Sequence, residues 1–392
     1  MNIIFFIANG GRIQLATRES NVIFGFAVNW TKLPRNFASF NDNVTISQSQ
    51  PVVYWAFSTY PIQIRAETKV SLVITPPVED ELMQYLRSII IYDGPDWNST
   101  SLGTGLQLFA GKRQYVSSGS YMTVQQLAPA FPLGRTMLVF QDYENTKDIV
   151  EYQGATCARV ENCGQFLMDG SIGMAAVTTV NERSDSGAEC VNSMSGSGDL
   201  DVYIGGKTKS KSNLIASYQI GDDSNKLPQE FLGYVRTYVL TGNNAKVNTS
   251  RSCESFYNSG VVGRKGFFAS RFYKSGVNSG MQSVYESIKS FTGLSKNRVN
   301  FSFTIKEADF VGNTTMEVTV YDNGKESYRQ LFTATNQPNL NSQIEKLGDD
   351  FSVNYKTYNY ETKGFYLEFE ILKSSSRYGI FGLFIIVFMY LF

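Results

Sequence analysis

The chain of 392 residues contains no histidine. Its absence excludes Ser-His-Asp and Cys-His catalysis, HExxH metalloproteases and zinc sites that use histidine. A surplus of positive charge is also lacking, because 35 Lys and Arg balance 35 Asp and Glu. Domains that neutralise nucleic-acid phosphates need such a surplus, so we expect no nucleic-acid partner. Charged residues make up 18% and hydrophobic residues 42%, which disfavours a long disordered chain.

Cysteine is scarce, and the four that occur share one segment of the sequence. They are Cys157, Cys163, Cys190 and Cys253. No Cys-x-x-Cys pair is present, so a thiolate metal site is disfavoured, and we expect neither a metal nor a cofactor. An even number of cysteines in one segment is typical of two disulfides in a secreted chain, with four unrelated buried thiols as the alternative.

Long apolar runs are also lacking, and the longest one ends the chain. Residues 379–392 are apolar but fall short of the ~20 residues that span a bilayer as a helix. Small serines precede this run, which is the order of a glycolipid-anchor signal, although the polar spacer is shorter than usual. We predict anchor attachment at Ser375, with residues 374–392 as the signal. A short membrane tail and an unprocessed buried strand are the alternatives.

The first residues are not an orthodox signal peptide, because a basic region is missing before a very short apolar core. Alternating apolar side chains at Phe24, Phe26, Val28 and Trp30 predict a strand with one buried face. We therefore interpret residues 1–34 as the end of a repeat whose beginning is missing, with a small signal peptide as the alternative.

Short sequence patterns recur along the chain. A glycine followed by phenylalanine opens an alternating strand at Gly25, Gly266 and Gly364. A strand that runs into a Tyr-Asp-Gly turn occurs at residues 89–94 and 318–324, with a weaker copy at 200–206. Helical periodicity is limited to two short windows, residues 79–87 and 282–291. Many short strands separated by turns predict β-sandwich modules in series.

These motifs resemble those of CUB domains, and the loose cysteine spacing resembles the nematode CUB-like family. The closest local match is the Cys163-Gly164 opening, with Cys190 27 residues later. The resemblance implies an all-β chain of tandem jelly-roll β-sandwiches on the extracellular side of the membrane. We divide the chain into a truncated repeat at 1–34, repeats at 35–156, 157–274 and 275–373, and the apolar C-terminal tail.

The CUB resemblance also implies a disulfide between Cys163 and Cys190, which leaves Cys157 for Cys253. The rival pattern joins Cys157 to Cys163 and Cys190 to Cys253.

Many CUB domains bind calcium, which needs several oxygen ligands around one ion. The family's acidic ligand lies six residues before the Asp of the Tyr-Asp-Gly turn. Counting back from Asp93 and Asp322 reaches Arg87 and Met316, neither of which supplies a carboxylate. We expect no metal and interpret the remaining candidates as exposed turn acids: Asp142, Asp199 and Asp201.

Six Asn-x-Ser/Thr sequons are candidate glycosylation sites, although chance gives nearly as many in so Asn-rich a chain. They are Asn29, Asn43, Asn98, Asn248, Asn300 and Asn313. A separate basic alternation at Lys207, Lys209 and Lys211 is interpreted as lysine protection of an exposed edge strand, with an anionic sugar or lipid site as the alternative.

Three functions are compatible with these patterns. The first is a binding protein on the outer face of the plasma membrane or secreted, with an unknown protein or glycan ligand. The family analogy places it in innate immune defence. The second is a structural spacer or coat protein of an epithelial surface without a specific ligand. The third, an enzyme, needs a carboxylate pair in a cleft, and no pair is recognisable from spacing.

Overall fold

The regular structure of the chain is almost entirely β-strand. The computed structural model describes residues 42–49, 53–56, 61–77, 80–111, 113–126, 136–157, 164–181, 188–251, 253–271, 273–274, 282–292, 295–296, 298–358 and 362–374. These residues form three successive β-sandwiches, each of two sheets that share an apolar core. The prediction of an all-β chain of tandem jelly-roll sandwiches is therefore confirmed. Residues 1–34 and 375–392 lie outside the described residues.

The first sandwich pairs a five-stranded sheet with a four-stranded sheet. Its strands are β1 (Asp42–Ile46), β2 (Val53–Ala56), β3 (Ile62–Ala66), β4 (Val70–Ile74), β5 (Ile89–Asp93), β6 (Thr100–Thr104), β7 (Tyr115–Val116), β8 (Tyr121–Gln126) and β9 (Thr136–Asp142). The sheet orders are β1-β3-β8-β5-β6 and β2-β9-β4-β7, and β1 runs parallel to β3.

The second sandwich repeats this topology strand for strand. Its strands are β10 (Ile149–Cys157), β11 (Gly164–Asp169), β12 (Met174–Asn181), β13 (Ala188–Gly196), β14 (Gly198–Ile204), β15 (Leu214–Ile220), β16 (Gln229–Leu232), β17 (Val235–Thr241) and β18 (Asn244–Ser250). The orders β10-β12-β17-β14-β15 and β11-β18-β13-β16 match the first sandwich, including the parallel pair of β10 with β12.

The third sandwich has the same arrangement without the first, parallel strand. Its strands are β19 (Lys265–Ala269), β20 (Gln282–Lys289), β21 (Phe291–Thr292), β22 (Ser295–Lys296), β23 (Val299–Asp309), β24 (Thr315–Asp322), β25 (Lys325–Thr333), β26 (Gln343–Gly348), β27 (Asp350–Thr357) and β28 (Gly364–Leu372). The orders are β19-β28-β23-β26 and β20-β27-β24-β25, with β21 and β22 as a separate hairpin.

The helices are short and lie between strands. They are the 3-10 helices Asp80–Ser88 and Asp223–Lys226 and the α-helices α1 (Gly105–Phe109), α2 (Tyr143–Thr146) and α3 (Glu254–Tyr257). The predicted helical window at 79–87 thus corresponds to a 3-10 helix. The window at 282–291 is wrong, because β20 alternates buried Val284 and Glu286 with exposed Tyr285 and pairs with β27 along its whole length.

The strand pairing corrects the predicted repeat boundaries. Residues 149–157 belong to the second sandwich, because β10 pairs with β12 rather than with the first sandwich. The segment around Gly266 does not close the second sandwich. It is β19, the opening strand of the third, and it pairs with β28. The Gly266 and Gly364 motifs therefore lie on neighbouring strands of one sheet, and they look alike because both strands bury one face.

The Tyr-Asp-Gly motifs are true structural equivalents, since β5, β14 and β24 occupy the same place in their sandwiches. The turn after β24 shows why glycine recurs there. Asp322 pairs with Lys325, so only Asn323 and Gly324 connect the strands, and their φ angles are 54° and 74°. Two successive residues with positive φ form the type I′ turn that suits the twist of a hairpin.

Two joints connect the sandwiches. In the first joint, Val139 of the first sandwich packs with Val180 and Val235 of the second. In the second joint, Phe267 and Tyr366 of the third sandwich belong to the core of the second. Both joints remove apolar surface from water, so each sandwich is stabilised by contact with its neighbour.

Candidate binding groove

A groove of about 510 Å³ lies at the second joint. One wall is β15, the outer strand of its sheet, and the floor is the outward face of the sheet that contains β19, β28, β23 and β26. A volume of this size suits a small ligand or a few sugar units. The groove exists because the edge of one sandwich stands over the face of the next.

The floor of the groove follows the register of four antiparallel strands. Lys265, Glu370 and Ser302 are cross-strand neighbours in one row. Phe267, Glu368, Thr304 and Gln343 form the next row. Alternation along each strand directs these side chains to one face. The floor therefore presents hydroxyl, amide, carboxylate and ammonium groups together.

The charges on this floor balance one another. Lys265 Nζ lies 3.5 Å from Glu370 Oε1, and Lys306 Nζ lies 3.5 Å from Glu368 Oε2. These side chains are partly exposed, so each pair contributes little to stability. Lys226 at the rim is 2.9 Å from Asp223 Oδ1. The groove therefore offers both hydrogen-bond donors and hydrogen-bond acceptors. Because its charges are paired, it has no surplus positive charge that would select an anion.

Aromatic residues at the groove are engaged with one another. The Tyr366 ring stacks on Tyr273 with centroids 5.3 Å apart and contacts Phe267 at 5.1 Å. The Tyr366 hydroxyl donates to the Ile215 carbonyl at 3.4 Å, which ties the floor to the β15 wall. These rings fix the shape of the groove rather than offering open faces.

A buried acidic and thiol cluster lies in the second joint beside the groove. Glu230 of β16 and Glu286 of β20 face each other across the joint and are both buried. Burial raises the pKa of Glu286 well above its usual value, and the neighbouring Glu230 raises it further. The Tyr257 hydroxyl donates to Glu230 Oε2 at 3.3 Å. The two acids can avoid repulsion when one of them keeps its proton.

The joint is also held by Arg264 and Gln229. Arg264 is buried over the Phe256 and Phe369 rings, at 5.9 and 5.7 Å from their centroids. Burial lowers the pKa of Arg264 to about 10. Gln229 forms a two-point clamp on the Phe267 backbone, donating to its carbonyl at 3.0 Å and accepting from its N–H at 3.2 Å.

The cysteine pairing implied by the CUB resemblance is wrong in this structure. Cys157 is disulfide-bonded, whereas Cys190 and Cys253 are buried free thiols. Cys163 lies outside the described residues. Burial raises the pKa of the Cys253 thiol, and its hydrogen bonds with Cys190 and Glu230 raise it further. The fold brings Cys190 to Cys253, as in the rival pattern, because α3 packs against β13 and β20.

The sequons on described residues occupy different settings. Asn43, Asn98 and Asn313 are exposed, the last two in turns. Asn248 and Asn300 are half-buried on strands, and Asn248 Nδ2 donates to Ser193 Oγ at 2.8 Å. Asn29 and the proposed lipid site Ser375 lie outside the described residues. Glycosylation at each site stays a prediction.

Of the acidic residues weighed as calcium ligands, Asp142 and Asp201 have other partners. Asp142 is not an exposed turn acid: it is fully buried, caps α2 and accepts from Thr68 Oγ1 at 2.7 Å. Asp201 accepts from Ser217 Oγ at 2.6 Å, and Asp199 is exposed on β14. The groups in the described part of the chain include no set of three acidic or thiol side chains arranged to hold a metal ion.

The lysine alternation is not on an edge strand, so that interpretation is also wrong. Lys207 lies in the connection from β14 to β15 and is buried in the first joint. Its Nζ donates to the Asn145 carbonyl at 2.9 Å, and burial lowers the pKa of Lys207. Lys209 and Lys211 are exposed in ion pairs with Glu144 and Asp201.

Sequence reasoning missed the groove altogether. Its residues come from six strands and a 3-10 helix of two sandwiches, so no local motif marks them. The one available signal was the outward-facing register of Glu368 and Glu370 in the alternating strand at 364–372.

Two family models each match a part of the chain. A model described as "Domain of unknown function (DUF7592)" matches residues 43–127, and one described as "Domain of unknown function (DUF7591)" matches residues 144–252. The first match spans β1 to β8 of the first sandwich, and the second spans all strands of the second sandwich. No curated protein sequence matches the chain.

Several solved structures superpose on the chain at low similarity. The CUB1-EGF-CUB2 domains of rat MASP-1 share 9% identity at a TM-score of 0.21, over 84% of this chain and 100% of that one. The human MASP-1/3 CUB1-EGF-CUB2 domain shares 8% at 0.20, over 53% of this chain and 98% of that one. A triple jelly-roll protein of an archaeal virus shares 10% at 0.18, over 82% and 88%. Across the described residues, no helix is long and apolar enough to cross a bilayer.

Proposed function

We propose that this chain is an extracellular, non-catalytic binding protein whose ligand is a glycan held in the groove at the second joint. The observation that carries the proposal is the groove floor. It places Glu368, Thr304 and Gln343 in one cross-strand row beside the Lys265–Glu370 pair. Carboxylate, amide and hydroxyl groups that converge on one cavity suit a ligand rich in hydroxyls.

The surroundings of the carboxylates in the groove favour glycan binding over glycoside hydrolysis. A glycosidase needs one carboxyl group whose pKa is raised, so that it can protonate the leaving oxygen. Glu368 and Glu370 instead face lysines and solvent. Glu286, whose pKa is raised by burial, does not line the groove.

Display on the cell surface is the second part of the proposal. The apolar C-terminal residues 379–392 and the serines before them support a glycolipid anchor at Ser375. The family resemblance supports a role in innate defence at an epithelium, where a surface glycan receptor would meet foreign material. Treatment of intact cells with phosphatidylinositol-specific phospholipase C should release the protein. Retention on the membrane, with recovery of a peptide that contains Phe392, would contradict the anchor.

A structural spacer is the alternative function, and the first joint favours it. There the two sandwiches close on each other through valines and a hydroxyl network, an arrangement suited to a stiff rod. A spacer needs no ligand, so the groove of a spacer would bind no glycan specifically. The same binding experiment therefore separates the two functions.

The test is a glycan array probed with the purified intact chain, with two variants beside it. Replacing Glu368 and Glu370 by alanine should abolish the signal for the bound glycan class. The matched control is Glu326→Ala, since Glu326 is also a partly exposed strand glutamate of the third sandwich opposed by a cation, Arg329, but lies outside the groove. Reproducible binding lost only in the groove variant supports the proposal, whereas no binding to any glycan favours the spacer.

A further inference from the structure

One predicted glycosylation site lies on the same sheet face as the groove floor. Asn300 is the first outward-facing residue of β23, and the third residue of its sequon, Ser302, lines the groove together with Thr304. Side chains at alternate positions of a strand point to one face of the sheet. Along β23, Asn300 is therefore about 7 Å from Ser302 and about 13 Å from Thr304.

The groove runs along β23 toward this site. At the far end, Tyr366 is the cross-strand neighbour of Glu307, and its hydroxyl is tied to the Ile215 carbonyl of the β15 wall at 3.4 Å. Asn300 lies in the opposite direction along β23, one row of side chains beyond Ser302. A group attached to Asn300 thus approaches the floor from the end away from the Tyr366 contact.

The row that holds Asn300 can support an attached sugar. Its cross-strand neighbours are Leu347 of β26 and Leu372 of β28, both half-buried on the outward face. The C–H face of a sugar ring can pack on these apolar side chains. The next two rows are polar and include Ser302 and Thr304. The sheet face therefore changes from apolar beside the attachment point to hydrogen-bonding in the groove.

We infer that Asn300 carries an N-linked glycan that folds along the sheet into the groove, so that the groove holds the chain's own sugar; this inference rests on the proposed function. In the modification, Asn300 Nδ2 attacks C1 of the first sugar of a lipid-pyrophosphate oligosaccharide. The bond from nitrogen to C1 forms, and the bond from C1 to the phosphate oxygen breaks. The lipid pyrophosphate leaves, the amide nitrogen releases one proton to water, and nothing is oxidised or reduced.

A tethered glycan competes with free ones for the groove. A short tether holds its ligand near the site at an effective concentration in the millimolar range. A groove that is filled by its own glycan for about nine-tenths of the time binds a free glycan about tenfold more weakly. The glycan at Asn300 therefore regulates binding. A glycan at Asn313 does not, because Asn313 lies in the turn between β23 and β24, at the opposite end of β23.

The first measurement is the release of the Asn300 glycan from the folded protein. The intact chain is secreted from eukaryotic cells and treated with peptide-N-glycosidase, and mass spectrometry follows the Asn300 peptide. Replacing Glu368 and Glu370 by alanine removes contacts in the groove, so release should become about tenfold faster than in the unaltered chain. Glu326→Ala, outside the groove, should leave the rate unchanged.

The second measurement is titration calorimetry with the free trimannosyl chitobiose core of N-glycans. Asn300→Gln should bind this probe about tenfold more tightly than the unaltered chain, whereas Asn313→Gln should match the unaltered chain. An unmodified Asn300, or equal rates of release in the unaltered chain and the groove variant, overturns the inference. If the free core still binds and the groove variant loses this binding, the proposed function stands without the internal glycan. Absence of glycan binding by both the unaltered chain and Asn300→Gln removes the proposed function as well.

Discussion

The two joints of this protein connect similar sandwiches in different ways. The first joint has a smaller cavity, of about 80 Å³. There the Tyr152 hydroxyl accepts from Gln141 Nε2 and bonds the Thr178 hydroxyl, Thr178 bonds Thr237 at 2.7 Å, and three valines pack together. The second joint keeps two buried acids, two thiols and an open groove. Ionisable groups are costly to bury without a reason. The first joint also buries an ionisable group, Lys207, so the two joints differ in that the second gathers two acids and two thiols beside an open groove.

The difference arises from the first strand of each repeat. In the second sandwich, β10 lies along β12 as a parallel edge strand, and it carries Tyr152 into the first joint. The third sandwich lacks this strand, and α3 with the following loop lies against β20 instead, where the Gly260 N–H donates to the Lys289 carbonyl at 3.0 Å. A short helix covers less of a sheet edge than a strand does. The second joint is consequently less regular on the β20 side, whereas the groove lies over the other sheet of the third sandwich, the one that contains β19 and β28.

The largest stability effect is expected from Phe256→Ala at the second joint. Phe256 is fully buried against Phe268, Phe369 and Arg264, so its removal leaves a cavity and an uncovered guanidinium. We expect a loss of about 3–5 kcal/mol in the free energy of unfolding, measured by urea denaturation. The control is Val261→Ala, because Val261 is exposed nearby and should change little. A loss below about 1 kcal/mol would mean that the second joint is not packed as described.

A smaller effect is expected from Tyr152→Phe at the first joint. The variant keeps the ring but removes the hydroxyl that serves buried Gln141 and Thr178. Unfolding free energy should fall by about 1–3 kcal/mol, because a buried polar partner loses its hydrogen bond. Tyr285→Phe provides the comparison, since Tyr285 is 60% exposed. Equal effects in the two variants would show that the hydroxyl network does not hold the joint.

The joints should also differ in their response to pH through Glu286. Because its pKa is raised in the folded protein, the folded state holds this proton at pH values where the unfolded chain has lost it. The contribution of Glu286 to stability therefore falls as pH rises from its unfolded pKa through its folded pKa. The acid's other charged and titratable neighbours are Glu230, Cys190, Tyr257 and Arg271.

Glu286→Gln should thus stabilise the protein at pH 7, by about 1.4 kcal/mol for each unit between the unfolded pKa and the folded pKa or pH 7, whichever is lower. The gain should shrink toward about pH 4, where the carboxyl is protonated in both states. Thermal denaturation across this range measures it, with Glu326→Gln as the exposed control. A gain that is independent of pH would indicate a packing effect instead of a buried charge.

The last prediction concerns the two thiols of the second joint. It involves the smallest change in stability but tests the described contact directly. Peptide mapping without reduction should recover Cys190 and Cys253 either as thiols or joined to each other. Both are buried in the native protein, so iodoacetamide should modify them only after unfolding. A peptide that joins Cys163 to Cys190 would contradict the described contact of Cys190 with Cys253.

The alternating strands and turn glycines were sufficient to predict the fold class. In the strand at 364–372, Phe365, Leu367, Phe369 and Ile371 face the core as their spacing predicts. The repeat of β5, β14 and β24 was also visible as a motif, because each of these strands is followed by a glycine with a positive φ: Gly94, Gly205 and Gly324. The boundaries between the sandwiches could not be predicted from such patterns. The similar alternating segments 266–269 and 364–371 belong to the first and last strands of the third sandwich in chain order, and these strands are neighbours in one sheet.

What the sequence alone determined is therefore the local part: strands with one apolar face, turns with positive φ, and the exclusion of histidine chemistry. These features depend on neighbours within a few residues, so short stretches of sequence are enough to predict them. The tertiary structure alone decided which cysteines meet, that Glu230 faces Glu286, and that the edge of β15 stands over the sheet of β28 to form the groove. Those contacts join residues far apart in the chain. They form because two sandwiches bury their apolar surfaces against each other.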